Sequence, residues 1–228
     1  MKTSEIRLDA FDVLIRDPKL NAIVQKVDEI RKSSGIKCVD SIISADTPFG
    51  IPTNPGKSIK TPFEIFSTKS KNHDTLVYYL EGNQRKTAYC RRSDIKKNTQ
   101  DIDKNKVFVP GAGGSGNDPY VLGKPEVAFP NSVCSQTFLY SPFLTNIEAT
   151  NFASYLKSKF LRILVSAVKI TQHAQSNAYR FVPIQDFTSS SDIDWSAPIE
   201  DIDRQLYKKY NLSDEEVSFI EKTIKPMG

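Results

Sequence analysis

The sequence predicts an α+β fold in which a mixed or antiparallel sheet packs on a central helix and an αα-hairpin ends the chain. Residues 152–168 carry apolar side chains at the i, i+3, i+4 and i+7 spacing of a helix. Short apolar runs bounded by turn residues, typical of strands, recur between residues 75 and 140, and residues 198–224 hold two more helical patterns. Strands and helices segregated in this way indicate an α+β domain.

Capping residues predict where the helices begin. In a capping box, a hydroxyl and a carboxylate three residues apart each accept a hydrogen bond from an otherwise unpaired backbone N–H. The predicted starts are Asp17–Pro18 for the first helix, Thr145 with Glu148 for the central helix, Pro198 for the third and Ser213 with Glu216 for the last. The first helix is expected to end near Gly35, and Asn211 stands where a left-handed residue would end the third.

Alternating or apolar runs predict the strands. They are 75–80 and 85–90, which form a hairpin, followed by 106–109, 126–129, 132–140 and, after the central helix, 179–184. Residues 5–16 are expected to be an extended entry segment. Residues 46–60 contain three prolines and two glycines and predict an irregular but ordered loop, with Phe49 and Ile51 as its anchors.

The central helix has a basic flank. Its apolar positions surround most of its circumference, so we expect a buried spine that belongs to the core. Lys159, Arg162 and Lys169 fall along one side at helical spacing, and the pattern predicts that they form an exposed basic edge.

Composition narrows the classes of protein. No run of about 18 apolar residues exists and the first residues lack the order of a secretion signal, so we expect a cytoplasmic protein without a membrane span. The three cysteines are far apart and odd in number, which favours buried thiols over disulfides or zinc. The net charge of +4 is compatible with a polyanionic partner.

No constellation of residues predicts catalysis. The glycine-rich run 111–116 follows a strand, but a second strand rather than a helix is predicted after it, which disfavours a phosphate or cofactor cradle. The acidic pairs near residues 192–203 lie beside a helix start, where carboxylates complement the helix dipole. No metal or cofactor site is therefore expected in this chain.

Binding signals are stronger. Arg91, Arg92, Lys96 and Lys97 follow the hairpin within seven positions and are placed to contact phosphates, although a solvated charge run has the same composition. Polar and ring side chains that are able to reach base edges flank the central helix; they are Ser135, Gln136, His173 and Gln175.

Six strings resemble a known family. They are TPFGIPTN (47–54), KVFVPGAGGSG (106–116), VLGKPEVAFPNSVCSQTFL (121–139), SYLKSKFLRILVSAVKITQHA (154–174), YRFVPIQDF (179–187) and DIDWSAPIEDIDRQLYKKYNLSDEEVSFIEKTI (192–224). Together they resemble the carboxy-terminal part of bacterial adenine-specific DNA methyltransferases of type II restriction-modification systems, including enzymes fused to a restriction endonuclease. The family's cofactor glycine motif and its Asn-Pro-Pro-Tyr motif are absent, so the resemblance covers the target recognition domain and not the catalytic domain.

The resemblance implies a role and a domain organisation. Residues 1–195 are expected to be a recognition-like α+β domain, and residues 196–228 a helical hairpin packed on it, in a longer enzyme with an upstream methyltransferase domain. The resemblance implies that the upstream domain binds S-adenosylmethionine and that a fused nuclease, where there is one, uses magnesium. This chain would be non-catalytic and bind double-stranded DNA. In this hypothesis Arg91, Arg92, Lys96, Lys97 and Lys159 contact phosphates, and Ser135, Gln136, His173 and Gln175 reach bases. The alternatives are a restriction endonuclease in its own right and a docking module for the methyltransferase core.

Overall fold

The computed structural model describes residue 15 and residues 17–82, 84–111, 118–169 and 175–227. Most of the expected extended segment 5–16 lies outside the described residues. The described elements are α1 (Pro18–Ser33), β1 (Thr75–Glu81), β2 (Gln84–Cys90), β3 (Asn105–Pro110), β4 (Glu126–Ala128), β5 (Ser132–Cys134), β6 (Phe138–Phe143), α2 (Asn146–Lys157), α3 (Lys159–Ser166), α4 (Ile199–Lys209) and α5 (Asp214–Thr223). The predicted α+β class is confirmed. None of the described helices is long and apolar enough to cross a membrane.

The strands form two three-stranded sheets rather than one. In the first sheet β1 lies between β2 and β5; it is antiparallel to β2, with Leu76 opposite Tyr89, and parallel to β5. In the second sheet β3 lies between β4 and β6 and is antiparallel to both. The predicted hairpin of residues 75–90 is confirmed as β1 and β2.

The predicted strand 132–140 is wrong as a single element. It is divided between the two sheets, because residues 135–137 form a turn in which the hydroxyls of Ser135 and Thr137 are 2.7 Å apart. The backbone N–H of Phe138 closes this turn on the carbonyl of Ser135 at 3.1 Å. Thr137 also accepts a hydrogen bond from the Leu80 N–H of β1 at 3.3 Å, so the turn remains tied to the sheet that the chain has just left.

The second sheet lies between two hydrophobic cores. Successive strand residues point to opposite faces. Val107, Val109 and Leu139 belong to the larger core, which the helices cover, whereas Phe108 and Phe138 belong to a smaller core shared with β1 and β5. One sheet therefore joins a helical layer to a smaller lobe built on the first sheet.

The central helix is interrupted at Ser158, so the prediction of one continuous helix is wrong. The Thr145–Glu148 capping box is confirmed at the start of α2. Ser158 has extended backbone (φ −61°, ψ 144°), and its hydroxyl accepts a hydrogen bond from the Leu161 N–H at 3.1 Å. The buried carboxylate of Asp203 in α4 accepts hydrogen bonds from the Lys159 N–H at 3.1 Å and the Phe160 N–H at 2.9 Å. These acceptors satisfy the first turn of α3, so the break leaves few buried donors unpaired.

The terminal hairpin contributes to the larger core. Its Ile202, Leu206 and Ile220 are fully buried there, and the Tyr210 ring stacks on Phe160 of α3 with centroids 4.9 Å apart. The Ser213–Glu216 capping box is confirmed, as is the left-handed backbone of Asn211 at φ 51°.

The predicted strand 179–184 is wrong. Residues 176–179 form a 3₁₀ turn, and an isolated antiparallel bridge joins Pro183 to Cys38. Pro183 has no N–H to continue a ladder. The flanking backbone pairs with the segment after α1 through two hydrogen bonds, Val39 N–H to the Val182 carbonyl at 2.8 Å and Ile184 N–H to the Lys37 carbonyl at 2.9 Å.

Candidate nucleic-acid interface

Positive charge is concentrated in the smaller lobe. Residues 47–98 contain ten Lys or Arg and four Asp or Glu, a net charge of +6, whereas the whole chain carries +4. The rest of the chain is therefore slightly acidic. This segment includes β1, β2 and the irregular loop before them, and its apolar residues form much of the smaller core.

Six lysines of this segment are exposed and form no ion pair with a carboxylate of the described residues. They are Lys60, Lys69, Lys71, Lys86, Lys96 and Lys97. Lys86 lies on β2 and Lys69 and Lys71 lie in the turn before β1. Cations that are exposed and not neutralised are those that a polyanion can contact without displacing an internal partner.

The two predicted arginines are already paired. Arg91 contacts Glu64 at 2.6 Å, and its guanidinium lies 5.0 Å from the Phe66 ring centroid. Arg92 makes a two-pronged contact with Asp103, at 2.7 and 2.5 Å. This hydrogen bonding lowers the pKa of the Asp103 carboxyl below its usual value. Either arginine would have to exchange its carboxylate for a phosphate in order to bind DNA, and such surface pairs cost little to break.

The irregular loop brings three predicted site residues together. The loop, defined here as residues 46–54, is anchored in the smaller core by the fully buried side chains of Phe49 and Ile51. Lys97 lies against Gly50, where an added Cβ would be 3.8 Å from the lysine Cγ. The Gln136 N–H donates to the Ile51 carbonyl at 2.9 Å, and the Gln175 amide donates to Asp46 at 3.1 Å.

The amides of Gln136 and Gln175 are therefore presented on one support. Both residues are exposed, and they come from segments 39 positions apart that the sequence predicted to reach bases together. A second tie, from the Asn98 amide to the Pro48 carbonyl at 2.7 Å, holds the segment that carries Lys96 and Lys97 against the loop. A rigid support lowers the entropic cost of presenting polar groups to a ligand.

Ser135 and Lys96 differ in how well a ligand can reach them. Ser135 is fully buried and its hydroxyl is paired with Thr137, so it cannot reach a base without a change in the turn. Lys96 donates to the Ser93 carbonyl at 2.6 Å and stays exposed. His173 lies outside the described residues.

The predicted exposed basic edge is wrong. Lys159, Arg162 and Lys169 are all buried. Lys159 pairs with Glu221 of α5, Arg162 donates to the Tyr120 carbonyl at 3.2 Å, and Lys169 donates to the Val121 carbonyl. The helical spacing placed them correctly on one flank, but α5 and residues 118–122 cover that flank.

Four of the six exposed lysines in residues 47–98 were not predicted from the sequence as site residues. Lys60, Lys69, Lys71 and Lys86 are separated along the chain, so no run of basic letters marks them. The charge counted over the whole segment 47–98 would have identified them.

The described residues include three cysteines and no cluster of potential metal ligands. No group of three or more His, Cys, Asp or Glu is arranged to hold a metal ion in this part of the chain. Cys90 and Cys134 are buried, and burial raises the pKa of the Cys90 thiol to about 12 and that of half-buried Cys38 to about 11. The glycine-rich residues 112–117 lie outside the described residues.

Comparison with known proteins identifies no family. No protein-family model matches the chain, and no curated protein matches it significantly.

Proposed function

We propose that this chain binds double-stranded DNA and recognises its sequence, as the target recognition domain of a restriction-modification adenine methyltransferase, with or without a fused endonuclease. The observation that carries the proposal is a set of six exposed lysines, in a segment with a net charge of +6, that form no ion pair with any carboxylate the structure describes. The family resemblance of the quoted strings supplies the biological setting. S-adenosylmethionine, and magnesium if a nuclease is fused, would then be bound by the upstream part of the enzyme.

The proposed division of labour follows from the chemistry of the side chains. Exposed lysines contact phosphates and release counterions, which provides affinity without reading sequence. Gln136 and Gln175 present amides that can pair with base edges, and glutamine is suited to the N6 and N7 positions of adenine in the major groove. Lys159 and Ser135 are left out of the proposed surface because both are buried.

A matched pair of triple variants tests the proposal. Replacing Lys69, Lys71 and Lys86 by Gln removes three exposed charges from the lobe, and replacing Lys19, Lys208 and Lys222 by Gln removes three exposed charges from the helices. Binding to duplex DNA is measured by fluorescence anisotropy over a range of salt concentrations. The lobe variant should weaken binding to all duplexes and reduce the slope of log K against log salt by about 2 to 3.

The control variant has the same net charge and should keep most of the slope. Equal losses in the two variants would mean that only net charge matters and would overturn the assignment of the surface. Absence of binding by the unmodified chain at low salt, together with a cooperative unfolding transition, would overturn the proposal itself.

A further inference from the structure

A buried arginine borders a cavity between the helices. Arg162 of α3 is fully buried, and its Nε and Nη1 donate to the carbonyls of Ser158 and Tyr120, each at 3.2 Å. Its Nη2 has no hydrogen-bond partner among the described residues. A cavity of about 270 Å³ lies beside it, lined by Lys157, Lys159, Arg162, Ile199, Glu200, Asp203, Pro226 and Met227.

The charge of this guanidinium is not balanced by a direct ion pair. Both carbonyl partners are neutral, and no carboxylate of the described residues lies within ion-pair distance of Arg162. The nearest candidate, Asp203, uses one oxygen for the Lys159 N–H and the other for the Phe160 N–H. Asp203 favours the charged guanidinium at longer range, but Nη2 remains a buried donor without an acceptor among the described residues. An unpaired buried donor is costly, so an acceptor at Nη2 would be favoured.

The first turn of α3 does not provide the site by itself. Its N–H groups are taken by Asp203 and by the Ser158 hydroxyl, which accepts from Leu161 at 3.1 Å. The free donor is therefore the guanidinium of Arg162. Lys157 at the half-exposed rim adds a second positive charge, while Lys159 is engaged by Glu221.

We propose that this cavity is a binding site for a small oxyanion, a carboxylate or a phosphate, which accepts a hydrogen bond from Arg162 Nη2. The cavity is several times the roughly 30 Å³ that one water molecule occupies in the liquid. Ile199, Pro226 and Met227 form an apolar wall that can cover a short hydrocarbon body. The site lies in the helical layer and takes a small ligand, so it is separate from the proposed DNA surface.

Binding is measured by isothermal titration calorimetry with inorganic phosphate and with butyrate, in chloride buffer of constant ionic strength. Saturable binding of either ligand supports the site, and the stronger of the two identifies its source as a phosphate or a carboxylate. Binding of neither ligand overturns the proposal. A DNA duplex is added in competition; displacement of the small anion would show that a DNA phosphate takes the position, and the small-ligand assignment would fail.

Variants locate the ligand. Arg162→Met should weaken binding about tenfold or more, because a charge-assisted hydrogen bond is lost. Arg162→Met also removes the hydrogen bond to the Tyr120 carbonyl, which can disturb the fold, so a second variant is needed. Ile199→Phe fills the cavity from its apolar wall, leaves Arg162 in place and should abolish binding. Glu200→Gln removes a rim carboxylate and should tighten binding. Lys208→Gln, in the same helix but away from the cavity, is the control, and wild-type affinity in Ile199→Phe would overturn the assignment.

Discussion

The buried carboxylate of Asp203 makes the stability of the helical layer dependent on pH. Burial raises the pKa of Asp203 to about 6 from its ordinary value of 3.8. The Phe160 and Lys159 N–H groups oppose this rise, Glu221 adds to it, and Arg162 lowers the pKa. Because the folded pKa is above the unfolded one, this group's contribution to stability is fully present below the unfolded pKa and is lost as pH rises through about 6.

The expected magnitude follows from the separation of the two pKa values. A difference of roughly two units corresponds to about 3 kcal/mol over the full range. Between about pH 4.5 and about pH 7.5, the linkage relation leaves about 2 kcal/mol of that change. Asp203→Asn keeps an oxygen that can accept a hydrogen bond from one of the two N–H groups, and it removes the carboxyl group that titrates.

The assay is urea unfolding followed by the fluorescence of Trp195, the single tryptophan, which is buried in the larger core. At the higher pH the wild-type protein carries the ionised carboxylate and has lost stability, whereas Asp203→Asn has not. The unfolding free energy of Asp203→Asn minus that of wild type should therefore be about 2 kcal/mol higher at the higher pH than at the lower pH. Comparing the variant with wild type at each pH cancels the contributions of the other titrating groups. Buffers without phosphate or carboxylate prevent an anion from binding in the cavity beside Arg162 and altering the measured stability. A relative stability that is the same at both pH values would refute the reasoning.

Three further predictions concern other parts of the chain. Asn211 has φ 51° at the end of α4, so Asn211→Gly should unfold at the same or a higher temperature, whereas Asn211→Ala should lose about 1 kcal/mol in urea unfolding. Lys106 is buried, and its ammonium donates to the carbonyls of Asp101, Ile102 and Lys104. Lys106→Met leaves these acceptors unpaired and should lower the unfolding free energy by about 3 kcal/mol or more. A loss below about 1 kcal/mol would contradict this prediction. Gln136→Ala should reduce discrimination at one base pair by about 1–3 kcal/mol without changing the salt slope, measured with a set of duplexes that differ at single positions.

Local signals were enough to predict the ends of several elements. The capping boxes at Thr145 and Ser213 and the proline at residue 18 act within one turn of helix, so the letters that carry them are adjacent in the sequence. The hairpin of β1 and β2 is local for the same reason. These features were predictable because no distant residue decides them.

The errors arise where a distant segment decides the structure. The break at Ser158 is stabilised by Asp203, which is 45 positions away, and no helical pattern can reveal that partner. Lys159, Arg162 and Lys169 match an exposed flank by spacing, and only the tertiary packing shows that Glu221 and two carbonyls cover them.

The candidate surface was predicted only in part. Lys96, Lys97, Gln136 and Gln175 were named from the sequence, but their common support on the 46–54 loop depends on contacts between segments far apart in the chain. The run of basic residues at 91–97 was predicted to contact phosphates, yet its two arginines form ion pairs with Glu64 and Asp103. Exposure and charge partners, rather than the density of basic letters, decide which cations a ligand can reach.

The position of β3 has a consequence for how the protein unfolds. Its alternate residues lie in both cores, and its backbone pairs on both edges. Loss of either core would expose one face of this strand, so we expect its amide protons to exchange only when the whole molecule opens. The loop at 46–54 is anchored by two buried side chains, whereas its Thr53 and Asn54 are exposed. We expect these two residues to tolerate exchange while the cooperative unit survives, which is the property that a surface needs if it is to acquire new targets.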